Sequence, residues 1–337
     1  MTPQRSSAGR SIQSGRRRVL TALAAGATAL ALPAMARAAE FGSRPIRIVV
    51  PFPAGGGTDV MGRLLAQALA KELQTTVIVD NVAGATGTIG SAQVARAEPD
   101  GNTLLLGISA THAIAPALFK DLKYQPERDF VPIVRIAHGG NLLVAHPAYP
   151  AATAPEMIAQ IKRSKEPMSY GSWGLGSGGH LAMESIKLST GADLQHIPYK
   201  GVAPLLLDLA GGQIQVAMAD IAGALPLLKA GRIKALAVTG RKRSSALPDV
   251  PTLVEGGLSF DTESWFALFA PARTPAPVVD KLIRAATTAL ARPELAERVH
   301  SLGMERDQIP REAFERQWRQ DIATWARLVQ ASGVKAE

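Results

Sequence analysis

The sequence predicts an α/β protein of two lobes facing one another across a ligand cleft, and three observations predict it. Short apolar runs alternate with amphipathic helical runs along residues 39–337, the pattern of sheets layered with helices. The alternation divides into two strand–turn–helix units of similar size, joined near Asn141–Leu142 and closed by a C-terminal return before Trp265. Three glycine-rich turns each follow a strand and open a helix, which is where open α/β sheets hold ligands. The expected division places lobe 1 at residues 39–141 and 262–337, and lobe 2 at residues 142–261.

Each element has its own warrant. Ile46–Phe52 reads as a buried strand ended by Pro51 and Pro53. Ala54–Gly57 turns the chain into a helix over Thr58–Leu73, where Val60, Leu64, Leu65, Ala68 and Leu69 recur at helical spacing. Thr76–Val79 is the second strand, Gly84–Gly90 opens a short helix, and Asn102–Ile108 is the third strand after the Pro99-Asp100-Gly101 turn. Beyond the junction come a strand at Leu142–Ala145 and a helix at Ala154–Lys165 with Pro155 in its first turn. Met168–Ser172 then leads through Gly174–Gly179 into a helix at His180–Ser189. Leu194–Tyr199, Val216–Ala219 and Ala235–Thr239 are further strands, separated by helices at Pro204–Ala210 and Leu225–Ala230. Ser264–Ala270 is an apolar strand, and helices at Pro277–Ala291 and Arg311–Ala331 close the chain. In the last, Phe314, Trp318, Trp325 and Leu328 share a face, as core packing requires. The sheets are expected to be parallel, with helices on both faces.

Residues 1–38 differ from the rest. Six arginines and no acidic residue flank an uncharged, Ala-rich run from Val19 to Ala36, followed by the small-x-small site Ala36-Arg37-Ala38. That order describes an export leader, and Arg16-Arg17-Arg18-Val19-Leu20 fits the twin-arginine form. Cleavage is expected, with a periplasmic product of 337 less 38, or 299, residues. The leader arginines hold six of the nine net positive charges, so the remainder carries only +3. Such a chain, with few aromatic residues and no basic run, gives no footprint for nucleic acid. Zero cysteines exclude disulfides, thiolate catalysis and cysteine metal sites.

The candidate chemistry lies in three loops: Pro53–Asp59, Gly84–Gly90 and Gly171–His180. Glycine lets the backbone approach a ligand and aim successive N–H groups at it. Free first-turn amides and the helix dipole then favour an anion, to which the hydroxyls of Thr58, Ser172 and Ser177 can add donors. Neither of the first two loops contains an arginine, so a carboxylate there would be held by amides and hydroxyls. Gly84–Gly90 also resembles the phosphate loop of short-chain dehydrogenases, which makes an NAD(P)-dependent oxidoreductase the competing reading. Against it, the loop is outside the first βα unit and the next strand ends in Ile108-Ser109 without an acidic residue for a ribose. No tyrosine has a lysine four residues on. Gly-x-Ser-x-Gly, His-Glu-x-x-His and Walker patterns are absent too, so no catalytic residue, metal or cofactor is expected.

The motifs taken in order resemble those of the Bug, or TctC-type, solute-binding proteins. They begin with Pro45-Ile46-Arg47-Ile48-Val49-Val50-Pro51-Phe52-Pro53-Ala54-Gly55-Gly56-Gly57-Thr58-Asp59. Gly87-Thr88-Ile89-Gly90, Ser109-Ala110-Thr111-His112, Ile197-Pro198-Tyr199-Lys200-Gly201 and Leu247-Pro248-Asp249-Val250-Pro251-Thr252 follow. The resemblance covers essentially all of residues 39–337 and implies a two-lobed type II periplasmic binding fold. It implies a monomeric, non-enzymatic receptor that brings a carboxylate ligand to the membrane subunits of a tripartite tricarboxylate transporter. Carried over residue by residue, Ala54, Gly55, Gly56, Thr58 and Asp59 form one jaw and Thr86, Gly87 and Thr88 the other. Ser109, Thr111, Ser172, Gly176, Ser177 and Asp220 face the distal part of the ligand. Trp173, Leu175 and Ile221 stand where relatives often carry polar residues. They imply a less polar far wall, and a ligand with an apolar or aromatic body in place of a tricarboxylate.

Overall fold

A computed structural model describes residues 44–307 and 309–335. The expected leader lies outside them. The first sheet has six strands in the order β11-β4-β10-β3-β1-β2. They are β1 Ile46–Val50, β2 Val77–Asn81, β3 Thr103–Ile108, β4 Phe130–Gly139, β10 Ser264–Pro271 and β11 Glu305–Arg306. The second sheet has five, in the order β7-β6-β8-β5-β9. These are β5 Asn141–Ala145, β6 Met168–Ser172, β7 Leu194–Pro198, β8 Val216–Asp220 and β9 Lys234–Val238. Both sheets are almost wholly buried along their central strands, with Ile48, Leu104 and Leu268 in the first and Leu143, Val144 and Met218 in the second, all fully inaccessible.

The sheets are mixed, which corrects the expectation of parallel ones. In the first, β1 pairs in parallel with β2 and β3, but β10 is antiparallel to β3 and β4. In the second, β6 pairs in parallel with β7 and β8, but β5 is antiparallel to β8 and β9. Topology explains it. The chain crosses between sheets twice, from β4 into β5 and from β9 to β10. A strand that enters a sheet from the cleft side runs opposite to strands whose carboxyl ends face the cleft. The crossings touch at Gly140, where a Cβ would lie 2.2 Å from the Thr239 carbonyl oxygen. Only glycine allows that approach.

The alternation offers no strand between Ile108 and Leu142, yet β4 is ten residues long. Two residues obscure it. Pro132 sits where the pairing with β10 slips in register, the one kind of place a strand tolerates proline. Arg135 breaks the apolar pattern but is buried against Asp307, Nε to Oδ2 at 2.6 Å. The helix Pro293–Ser301 and a π-turn at Ala110–Ile114 also lie outside the sequence reading. The C-terminal helix Arg311–Ser332 buries Phe314, Trp318 and Trp325. It packs on both the π-turn and the helix Gly178–Thr190, spanning the two sheets' layers. Among the described residues no helix is long and apolar enough to cross a membrane.

Candidate ligand-binding site

The carboxyl ends of β1 and β8 meet across the cleft. After β1 the chain turns through Gly55, whose φ of +88° belongs to the glycine-favoured region. Asp59, in the first turn of the helix Gly57–Leu73, holds this turn: its Oδ2 accepts from the Gly55 N–H at 3.0 Å and from Arg63 Nε at 3.0 Å. Asn81 Nδ2 donates to Asp59 Oδ1 at 3.0 Å. Burial works to raise the Asp59 pKa, but the bonds from Arg63, Gly55 and Asn81 outweigh it and hold the carboxyl below its usual range. Asp59 therefore frames the loop and is saturated by its own lobe. The helix has Gly56 at its N-cap, with no side chain to cap the first turn.

That first turn is met from the other lobe by Asp220. Its carboxylate caps the helix Ile221–Lys229, accepting from the Gly223 N–H at 2.6 Å, and also accepts from the Gly57 N–H across the cleft. Burial pushes its pKa up, against those two amide bonds. The approach is close: a Cβ on Gly57 would lie 2.1 Å from Asp220 Oδ1. Around this contact is a cavity of about 30 Å³ lined by Phe52, Pro53, Gly56, Gly57, Thr58, Ile108, Asn141, Trp173, Val202, Asp220, Ser264, Trp265 and Phe266. This volume suits a water molecule, so an organic ligand enters only if the lobes part. The walls are mainly aromatic and aliphatic, with Thr58, Asn141, Asp220 and Ser264 as their polar side chains, and no lysine or arginine lies among these residues.

The second loop is tightly wound. Gly84, Ala85, Thr86 and Gly87 have φ values of 138°, 44°, 51° and 88°, a run that is costly for the two non-glycine residues. Thr86 Oγ1 donates across to the Leu175 carbonyl at 2.9 Å, and Thr88 Oγ1 turns back to the Ala85 carbonyl at 2.9 Å. This jaw thus touches the opposite lobe at the Gly174–Leu175 turn.

The third loop is hydrogen-bonded to itself. Ser172 Oγ lies 2.7 Å from His196 Nε2 and 3.1 Å from the Gly174 carbonyl, to which it donates. Ser177 Oγ donates to Ser172 Oγ at 3.1 Å and accepts from the His180 N–H at 3.2 Å. His180 Nδ1 accepts from the Gly176 N–H at 2.9 Å, and its ring stacks on His196 with centroids 3.7 Å apart. Burial drives both rings toward neutrality, His180 to about 4 and His196 to about 3.

Of the residues the sequence points to, Gly56, Thr58, Trp173 and Asp220 line the cavity. Ala54 and Gly55 are exposed on the rim, and Asp59 stands behind the loop. Ser109 and Thr111 are buried beyond the end of β3, where Thr111 Oγ1 bonds the Ile108 backbone and contacts His112 Nδ1 at 2.8 Å. Ser172, Gly176 and Ser177 make their hydrogen bonds within and beneath the third loop and do not line this cavity. Leu175 and Ile221 do not line this cavity either. Leu175 borders a separate surface depression with His180 and Glu184, and Ile221 packs where a Cβ on Gly303 would lie 2.2 Å from it. The apolar wall comes from Trp173, which also lies against Gly179, together with Phe52, Ile108, Val202, Trp265 and Phe266. Apolar strand ends carry no motif, so only the β10 return near Trp265 hinted at this in sequence.

Comparisons with known proteins bear on the family and the fold. The model of the tripartite tricarboxylate transporter family receptor, TctC, matches residues 60–334. BugT of Bordetella pertussis is 35% identical over 299 residues, covering 87% of this chain and 90% of its own. The solved structure of periplasmic binding protein BugD is 36% identical with a TM-score of 0.83, covering 88% of this chain and 99% of that one. Rpa4515 of R. palustris, solved with adipate, is 32% identical with a TM-score of 0.85 over 88% of this chain and 99% of its own. MatC from Rhodopseudomonas palustris, with bound malate, is 32% identical with a TM-score of 0.81 over 86% of this chain and 100% of its own. The two sheets joined by two crossings are the two-lobed type II periplasmic binding fold.

Proposed function

The chain belongs to the tripartite tricarboxylate transporter receptor (TctC) family, and from that membership we propose that it captures a small carboxylate with an apolar body and hands it to the membrane subunits of such a transporter. The observation that carries this reading is the helix start at Gly56–Thr58, which no side chain of its own lobe caps and whose Gly57 amide already receives a carboxylate, that of Asp220, in a mainly apolar cavity with no basic side chain among its described residues. Backbone amides at a helix start suit one carboxylate, while the walls suit a hydrocarbon body and leave a second or third buried charge unpaired. The adipate and malate bound by the two Rhodopseudomonas proteins support a carboxylate ligand.

The rest of the proposal follows from the same frame. The protein is exported by a cleaved twin-arginine leader, acts in the periplasm as a monomer, and binds without turning its ligand over. Lobe 1, residues 39–141 and 262–337, and lobe 2, residues 142–261, part and close about the crossings at Gly139–Asn141 and before Ser264. Calorimetric titration with hexanoate, phenylacetate, adipate and citrate tests the ligand class, with Trp173→Ser as the partner variant. The apolar acids are expected to bind more tightly than citrate and to be recovered unchanged. Trp173→Ser is expected to weaken phenylacetate by about 0.5–1.5 kcal/mol, the ring-pair contribution beyond buried area. A preference for citrate, or identical affinities in the variant, overturns the ligand class.

A further inference from the structure

Resting on that reading, we propose that Asn141 determines specificity by donating a hydrogen bond to an uncharged oxygen at the far end of the ligand, so that the cleft selects carboxylates bearing a distal carbonyl. Asn141 is the first residue of β5, immediately after the crossing at Gly140. Its backbone is tied to the other crossing: its N–H donates to Thr239 Oγ1 at 2.8 Å and its carbonyl accepts from the Thr239 N–H at 2.8 Å. Its side chain lines the cavity and is 1% exposed. Ser264 Oγ donates to its Oδ1 at 3.3 Å, and its Nδ2 is buried with no partner. Buried amide groups are nearly always paired, because a donor withdrawn from water and left unmatched costs free energy. An orphan at the wall of the ligand cavity is explained when the missing partner is the ligand.

The surroundings favour a neutral acceptor. Asn141 is the direct cross-strand partner of Asp220, so the amide and the carboxylate lie side by side on one face of the second sheet. A second ligand carboxylate at Asn141 would meet that negative charge with a single neutral donor to offset it. A carbonyl oxygen accepts the same bond without the repulsion. Room is kept by Gly178, where a Cβ would stand 3.3 Å from Asn141 Nδ2 and 3.3 Å from Ser264 Oγ. The ligand would thus be gripped at one end by Gly56–Thr58 and read at the other by a residue fixed to both crossings.

The test titrates hexanoate, 4-oxohexanoate and 5-oxohexanoate into the wild-type protein, Asn141→Leu and Asn141→Asp, with melting temperatures of each free protein. At least one oxo acid is expected to bind wild type roughly tenfold more tightly than hexanoate, and both variants are expected to bring the oxo acids down to the level of hexanoate. Free Asn141→Leu is expected to melt no lower than wild type, because the orphan amide is gone. A residue that only supports the fold gives the opposite result, with all three acids weakened alike and a lower melting temperature, and that overturns the proposal. So does a wild-type protein indifferent to the oxo group. If wild type binds none of the three acids, the carboxylate reading falls. The melting temperature then decides Asn141 by itself, unchanged or raised upholding an unpaired functional amide and lowered overturning it.

Discussion

The first and third glycine loops are written alike, each a strand end, a run of glycines and a helix start, yet their polar atoms point in opposite directions. In the first, Asp59 stands behind the turn and ties Gly55, leaving the helix start at Gly56–Thr58 facing the cleft. In the third, Ser172, Ser177 and His180 bond to one another and to His196, so the hydroxyls are matched before a ligand arrives. What that loop brings to the cleft is the face of Trp173. One loop supplies polarity, the other shape. A glycine-rich helix start is therefore a site only when its own lobe leaves its donors free; in the first loop it is Asp220 of the other lobe that meets them.

The largest effect is expected at Gly57. A Cβ there would lie 2.1 Å from Asp220 Oδ1, so Gly57→Val prevents the lobes from meeting and blocks backbone approach together. Loss of measurable carboxylate binding is expected, with a larger radius of gyration by small-angle scattering and an intact fold by circular dichroism. Gly87 is the wrong place for this experiment, since a Cβ there meets Thr111 Cγ2 at 2.7 Å inside one lobe and disturbs packing as well. Full-strength binding by Gly57→Val would remove the first loop from the site.

A smaller loss is expected from Asp59→Ala, which leaves the first loop in place but takes away its frame. The Gly55 N–H and the Asn81 amide lose their acceptor. Unpaired groups of this kind cost about 1–3 kcal/mol, or roughly 5- to 150-fold if the loss falls on binding. The native carboxyl is held below its ordinary value of 3.8, so its contribution is complete above pH 3.8 and is lost as pH falls through the folded value. Calorimetry at neutral pH, with denaturation curves for the free protein, separates affinity from stability. Unchanged affinity would mean that the turn keeps its shape without Asp59.

Much of this was legible in the residues. The two lobes, their order in the chain and the cavity positions Gly56, Thr58, Trp173 and Asp220 follow from strand–turn–helix alternation and from the family resemblance. What stayed hidden has physical causes. The strand β4 was masked by Pro132 at a register slip and by Arg135, whose burial makes sense only with Asp307, 172 positions away. The mixed sheets depend on where the chain crosses, which periodicity does not encode. Ser172 and Ser177 were given to the ligand because a hydroxyl in a glycine loop reads as a donor. In this structure their partners include His196 and each other, brought together by the pairing of β6 with β7. Asn141 carries no motif at all; its signal is an unpaired amide, which exists only in three dimensions.

The smallest effect on affinity is expected from His196→Gln, and this variant has its clearest reading in pH. The glutamine amide can still reach Ser172, which does not face the cavity, so affinity at neutral pH is expected to stay within about threefold, less than the worth of one neutral hydrogen bond. Stability behaves differently. Burial lowers His196 to about 3 and His180 to about 4 from 6.5, and buried His112 in the other lobe is also lowered to about 3. An unfolded chain takes up protons on these rings that the folded protein refuses. Stability is therefore complete above pH 6.5 and falls as pH drops from 6.5 toward the folded values. His138 does not share in this loss. Asp307 raises its pKa, so its contribution is full below 6.5 and is lost only as pH rises through the folded value. Because His138 offsets part of the loss, removing one of the three lowered rings should reduce the net loss of unfolding free energy between pH 7 and pH 5 by at least one third, measured by denaturant titration at each pH. An unchanged loss would mean that His196 is not held neutral beneath the third loop. A fall in affinity as large as that of Asp59→Ala would mean that the third loop does present polar groups to the ligand, and the contrast between the two loops would not stand.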